Sequence, residues 1–168
     1  MAATRIIGVE YLKNNSPIIK NVEEDVLITS IQKAQNVNMD SVLGTNLLNA
    51  ILSKIDNDTL SGDYQTLVVD YVAPALVEWS VYYAMPFIAN KMENTGMVQK
   101  SGENSTPVDL QTLKFMRDDV RNVAEFYTQK IAKYLCANDI LFTEYNTEDE
   151  VDETRPNKNN YFSGIYLD

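Results

Sequence analysis

The chain has 168 residues, 45% hydrophobic and 23% charged, with 24 acids against 14 bases and a formal net charge of −10. That length suits one compact domain with room for a substantial core. The absence of histidine and the single cysteine, Cys136, exclude Ser-His and Cys-His catalysis, an internal disulfide and a cysteine-rich zinc site.

The acidity is uneven: from Asp139 onward eight acids face two bases, leaving sixteen acids and twelve bases in the body. Neither part shows the clustered Lys and Arg of a nucleic-acid binder. The first sixteen residues have no continuous apolar core and no small-residue cleavage pattern, so no signal peptide is expected.

Residues 1–20 read as an N-terminal arm. Ile6, Ile7, Val9, Tyr11 and Leu12 suggest a short extended segment, and Pro17 argues against a helix through Ser16. Such an arm either covers its own core or reaches a neighbour. Asn21-Val22-Glu23-Glu24 has the form of a capping box, and three acids, Glu23, Glu24 and Asp25, favour the positive end of a helix dipole. A helix to about Gln35 follows, with Leu27, Ile31 and Ala34 on its buried face.

Asp40 or Thr45 can cap a second helix to Ile55, in which Leu48, Ile51, Leu52 and Ile55 repeat at core spacing. Gly44 would weaken its first turn, so close packing or a change of direction is the better use for it. Asp56-Asn57-Asp58 ends this helix, and Thr59 to Gly62 leads to the next.

Gly62 to Asn94 reads as the central helix, apolar at nearly every angle and therefore placed inside a bundle or against partner chains. Pro74 and Pro86 crowd the carbonyls of Asp70 and Tyr82, which predicts a kink or break at one or both. Tyr71 to Ala89 is nearly long enough to span a bilayer. Glu78 at mid-span and the lack of a flanking basic cluster argue for a buried helix of a soluble bundle instead.

Residues 94–106 read as a projecting loop, either a small hairpin with strand character at Met97, Val98 and Gln99 or a plain connection. Thr106-Pro107-Val108-Asp109 is a helix-start signal, and the helix it opens should reach Cys136 or Ala137. Leu110, Leu113, Met116, Val120, Val123, Tyr127, Ile131 and Tyr134 or Leu135 form its apolar stripe; Phe115 and Phe126 lie off it, widening the face or touching another subunit. Ile140, Leu141, Phe142 and Tyr145 then form a short apolar segment. Residues 146–168 form an acidic linker ending in a cluster of Tyr161, Phe162, Ile165, Tyr166 and Leu167, which reads as a tether with an anchor. The anchor either folds back on its own domain or adds to a partner.

The fold class predicted is mainly α: a bundle of about four helices over residues 21–145, with a small interhelical β-hairpin or loop and extended arms at both ends. The inventory supplies no catalytic residues, no cofactor-binding residues and no metal ligands. Cys136 falls in the last turn of a helix, where the dipole disfavours a thiolate, no phosphate loop or dinucleotide turn is present, and the acids at 148–153 lack the glycine turn of a calcium loop.

Several stretches taken together, Ala34-Gln35-Asn36-Val37, Val42-Leu43-Gly44-Thr45-Asn46-Leu47, the proline-containing Tyr71 to Pro86, Gly96-Met97-Val98 with Lys100-Ser101-Gly102-Glu103-Asn104-Ser105, and Glu125-Phe126-Tyr127 with Tyr134-Leu135, carry a resemblance by their order and spacing. Over most of residues 5–145 the chain resembles the head-to-tail connector (adaptor or neck ring) proteins of tailed bacteriophages, in particular the crAss-like type. The resemblance implies a non-enzymatic virion subunit, assembled in the host cytoplasm. It would form a ring, commonly of twelve copies, between the portal protein and adjoining neck or tail rings, with DNA passing through unbound and no membrane involved. Contacts would be expected at Met97, Val98, Lys100, Ser101, Phe115, Phe126 and the terminal cluster. The competing reading is an acidic cytoplasmic adaptor or regulatory protein that binds one partner through its C-terminal segment.

Overall fold

The computed structural model describes residues 4–18, 21–93, 96–99, 109–146 and 154–158. Its helices are α1 (Val9–Asn14), α2 (residues 24–43), α3 (Thr45–Asp56), α4 (residues 62–89), α5 (Leu110–Ala137) and α6 (Thr143–Asn146). One antiparallel hairpin, β1 (Asn90–Glu93) and β2 (Gly96–Gln99), pairs Asn90 with Gln99 and Glu93 with Gly96. The mainly-α expectation holds, and four of these helices are long.

The bundle is built on α4, flanked by α2 on one side and α5 on the other. Small residues make this possible: Ala73, Ala75, Ser80 and Ala84 are buried on α4 and let both neighbours approach closely. Leu67, Val72, Leu76 and Val81 fill the remaining space. The Ser80 hydroxyl donates to the Leu76 carbonyl, so the one fully buried polar side chain of the helix is satisfied within its own turn. Partners within the chain thus cover most of the helix. Val69 and Phe87 are its exposed large apolar residues.

Neither proline breaks α4. A π-helical turn spans Leu67–Val72, immediately before the α-helical part Ala73–Ala89 that contains Pro74 and Pro86. A widened turn changes which carbonyl faces the residue without an N–H, and so absorbs the disturbance at Pro74 inside a continuous helix. The helix stops at Ala89, short of the Asn94 expected, because β1 of the hairpin already begins at Asn90.

The helix expected to end near Gln35 continues instead through a π turn, Gln35–Met39, into Asp40–Leu43. Two side chains account for the extra residue in that turn. Gln35 is buried, accepts from the Ile6 amide at 2.9 Å and donates to the Thr4 carbonyl at 3.1 Å, and Asn38 accepts from the Tyr83 hydroxyl at 3.1 Å. The helix begins at Glu24 without a side-chain cap, so the capping box at Asn21 does not form. Its buried face is Leu27, Ile31 and Ala34, as the spacing predicted.

The N-terminal arm covers its own core. Ile7, Leu12 and Ile18 are buried, and the Thr4 hydroxyl donates to the Asp56 carboxylate at 2.7 Å. The extended segment expected around Val9 is a short helix instead, with Glu10 in its first turn and Lys13 in its last, each on the favourable side of the dipole.

Gly44 makes the change of direction between α2 and α3. It has φ +78° and ψ 154°, a region reserved in practice for glycine, and it rather than Asp40 or Thr45 occupies the N-cap position of α3. The Thr45 hydroxyl instead donates to Asp40 at 3.0 Å.

Candidate interaction surface

Helix α5 is an edge helix, and that decides what it leaves bare. Its C-terminal half seats Ala124, Ile131, Ala132 and Leu135 in the core, with Tyr134 stacked on Tyr71 at 4.1 Å between centroids. Toward the N-terminal half the apolar stripe is only partly covered. Leu113 is half-buried and Val120 and Tyr127 pack against the core, whereas Leu110, Met116 and Val123 of the expected buried stripe are exposed. Among the described residues the arm, α4 and α5 leave an open groove of about 390 Å³ there, lined by Ile18, Met85, Ile88, Phe115 and Met116 among others.

Phe115 and Phe126 lie opposite the buried stripe and are 75% and 57% exposed. Eleven residues apart, about three turns, they point the same way. Met116 and Val123 flank them, so one side of α5 carries a band of large apolar groups facing water. Polar groups border it. Arg121 pairs with Asp118 at 3.7 Å and Glu125 at 3.6 Å, and the Lys130 ammonium sits 5.6 Å from the Phe126 ring centroid.

Of the other expected contact residues, Met97 and Val98 fall in β2, opposite Met92 and Lys91 in the hairpin register. Lys100, Ser101, Tyr161, Phe162, Ile165, Tyr166 and Leu167 lie outside the described residues, as do the Thr106-Pro107 start signal and the acids at 148–153. Helix α5 ends at Ala137, as expected, but it begins at Leu110 with Asp109 at its N-cap position, three residues later than the cap expected at Thr106.

Charge inside the bundle is sparse. Glu78 of α4 faces α5, and partial burial, then the nearby Asp119 carboxylate, push its pKa above the ordinary carboxylate value. A carboxyl whose pKa is raised by folding favours the native state while protonated and weakens it as pH rises through that value. Glu78→Gln should therefore raise the melting midpoint by a few degrees at pH 7, with the gain shrinking as pH falls into the carboxylate range. A gain independent of pH in thermal melts would show that the charge is not its source.

At the opposite end of the bundle, Phe142 and Tyr145 are buried and hold α6 in place, while Ile140 and Leu141 of the same apolar segment face solvent. Tyr64 donates to Glu144 and meets Phe142 edge-on, and Lys54 lies 4.4 Å from the Tyr64 ring centroid. Burial alone would raise the Glu144 pKa. The hydrogen bonds from Tyr64, its own amide and Thr143, with Lys54 nearby, outweigh that and hold it below the usual range. Burial and then the bond to Glu144 push the Tyr64 phenol well up. The pair is a structural clasp between α4 and α6. Among the described residues no cluster of three or more Cys, Asp or Glu side chains is placed to hold a metal, and no helix is long and apolar enough to cross a membrane.

Sequence reading missed the strap at residues 154–158. Within the stretch taken for a solvated linker, the Thr154 carbonyl accepts from the Thr45 amide at 3.0 Å. The Thr154 amide donates to the Thr45 hydroxyl at 3.1 Å, and the Asn157 amide donates to the Ser41 carbonyl at 3.0 Å. Pro156 rests against Gly44, where an added Cβ would come within 2.7 Å of its Cδ. The only signal of this in the sequence was a glycine that helix propensity could not explain.

The fold and its surfaces define a small helical-bundle protein whose distinctive feature is an exposed apolar band on an edge helix. The chain belongs to a family of unknown function, DUF6712, which matches residues 39–155, from the π turn of α2 to the first residues of the strap. No curated protein and no solved structure matches it.

Proposed function

We propose that the chain is a ring-forming head-to-tail connector subunit of a tailed phage, joining the portal to the tail around the DNA channel. The observation that carries this reading is the pair of exposed phenylalanines on the outer face of α5. Large apolar groups at a three-turn repeat on a rigid helix, rimmed by ion pairs, suit a lateral contact between copies of one subunit. The resemblance set out above supports the same reading. In a closed ring the band of one copy would meet a different face of the next, a heterologous contact that closes by rotation. The paired strands β1 and β2 follow directly on the C-terminal end of α4 and would be a natural reach toward an adjoining ring. Surplus acid suits a channel through which DNA passes without sticking, since like charges repel phosphates.

The test replaces Phe115 and Phe126 together by serine. Both side chains are exposed, so the monomer should keep its folding stability within about 0.5 kcal/mol. Light scattering after size-exclusion chromatography, with and without a portal ring, should show the parent chain assembling and the double variant remaining monomeric. A parent chain that stays monomeric and indifferent to portal, or a variant that assembles equally well, would sink the proposal.

A further inference from the structure

Two open grooves follow one another along α2. The first, of about 330 Å³, has Asp25, Val26, Thr29 and Lys33 of α2 on one wall and Tyr83 and Phe87 of α4 on the other. The second, of about 580 Å³, lies nearer the C-terminal end of α2, between Val37, Asn38 and Ser41 on one side and Thr128 and Gln129 of α5 on the other. Both open on the same face of the bundle, since Tyr83 of the first donates to Asn38 of the second at 3.1 Å. Each carries a bare apolar group: Phe87 is 41% exposed and Val37 53%.

We infer that these grooves are the face of a second copy on which the α5 band seats, with Phe115 entering the first groove and Phe126 the second. The inference rests on the ring reading above and names the surface that the band meets. Spacing is its first ground. Phe115 and Phe126 stand eleven residues apart on one side of α5, about 16 Å along the axis. On α2 the first groove centres on Thr29 and the second between Asn38 and Ser41, about ten residues on, which is about 15 Å. Two knobs therefore meet two holes in a single register.

Polarity is the second ground. Along α2, Val26 shares a groove with Phe87 while the later Asn38 binds the earlier Tyr83; along α5, Thr128 binds Trp79 while the later Tyr134 stacks on the earlier Tyr71. Both helices thus run antiparallel to α4 and parallel to each other. Rotation about an axis along the bundle keeps α5 of one copy parallel to α2 of the next. In that sense the charges match. Lys114 precedes Phe115, and Asp118 and Asp119 follow it by a turn, whereas Asp25 precedes Thr29 by a turn and Lys33 follows it by one. Parallel helices set base against acid on both sides of the knob; antiparallel ones would set like against like.

Placement is the third ground. The band lies on the outer side of α5 and the grooves open along α2, so the contact is heterologous and leaves every copy one of each surface to offer. The groove between α4 and α5 could not serve in this way. Phe115 itself lines it, so a band seated there would pair two copies about a two-fold axis and stop.

Cross-linking of the full chain in the presence of a portal ring tests the seat. In a chain whose Cys136 is replaced by serine, Gln111→Cys stands one turn before Phe115 and Asp25→Cys one turn before Thr29, both at exposed positions. With a short bismaleimide the two single variants, mixed, should link to each other, and a chain carrying both substitutions should give a ladder of linked copies. Either single variant alone should stay unlinked. Thr29→Trp, which fills the first groove from an exposed position, should leave the circular dichroism of the monomer unchanged and weaken assembly about tenfold or more. Shortening the knob in the same chain by Phe115→Ala should recover part of that loss. Light scattering tells the two possible failures apart. Copies that assemble but link only Gln111→Cys chains to one another, or do not link, would overturn this seat and leave the ring reading standing. Copies that do not assemble even with portal would overturn both.

Discussion

Gly44→Ala should destabilise the protein by about 3 kcal/mol, through a left-handed backbone that alanine resists and a clash that it creates. The two contributions arise at one atom. With φ +78° and ψ 154° the residue sits where side-chain-bearing residues are rarely found, and its new Cβ would stand 2.7 Å from Pro156 Cδ and 3.3 Å from the Thr154 carbonyl oxygen. Relief is expensive on either side. Turning the backbone misdirects α3, whose Leu47, Leu48 and Ile51 are in the core, and moving the strap breaks two backbone hydrogen bonds, to Ser41 and Thr45, and a third to the Thr45 hydroxyl.

For a chain of this size the expected loss is a fall of about 6–12 °C in melting midpoint. Adding Pro156→Gly separates the parts: it should recover the share due to the clash and leave the share due to backbone strain. A Gly44→Ala protein that melts with the parent would mean that strap and junction do not hold each other as described.

Trp79→Ala should cost about 3–5 kcal/mol, the range for emptying a large aromatic site in a core. Trp79 sits at the meeting of α4 and α5. It is 8% exposed, stands edge-on to Tyr82 at 5.5 Å, and its indole Nε1 donates to Thr128 Oγ1 at 2.9 Å. The Thr128 hydroxyl donates in turn to the Ala124 carbonyl, so its proton is already committed and its lone pair is free for the indole.

Trp79→Phe keeps most of the buried surface and loses that one bond, and should cost about 1 kcal/mol. Trp79 is the only tryptophan, so the interface reports on itself. Thr128→Val should shift the indole emission without unfolding the chain. Denaturant titrations would reject the assignment if the alanine and phenylalanine variants lost stability equally.

Much of the bundle was legible because helix periodicity is local. Leu27, Ile31 and Ala34 of α2, Leu48 and Ile51 of α3, and Ile131 and Leu135 of α5 are buried where their spacing puts them. Elements set by distant partners were not legible. The π turn at Gln35–Met39 exists because Gln35 binds the arm and Asn38 binds Tyr83. α1 is helical where loose alternation suggested extension. In the candidate surface, Phe115 and Phe126 were separable by angle alone. Met116 and Val123 were not, since they belong to the same apolar stripe as residues that do find partners.

What the sequence determines unaided is the helical class, the placement of the long helices and the lack of histidine chemistry, because each follows from residue type and from neighbours within a few positions. Tertiary structure alone decides which part of the α5 stripe stays bare, and why position 44 must be glycine. Both depend on what stands opposite: open water along the N-terminal half of α5, and a proline from the far end of the chain at Gly44.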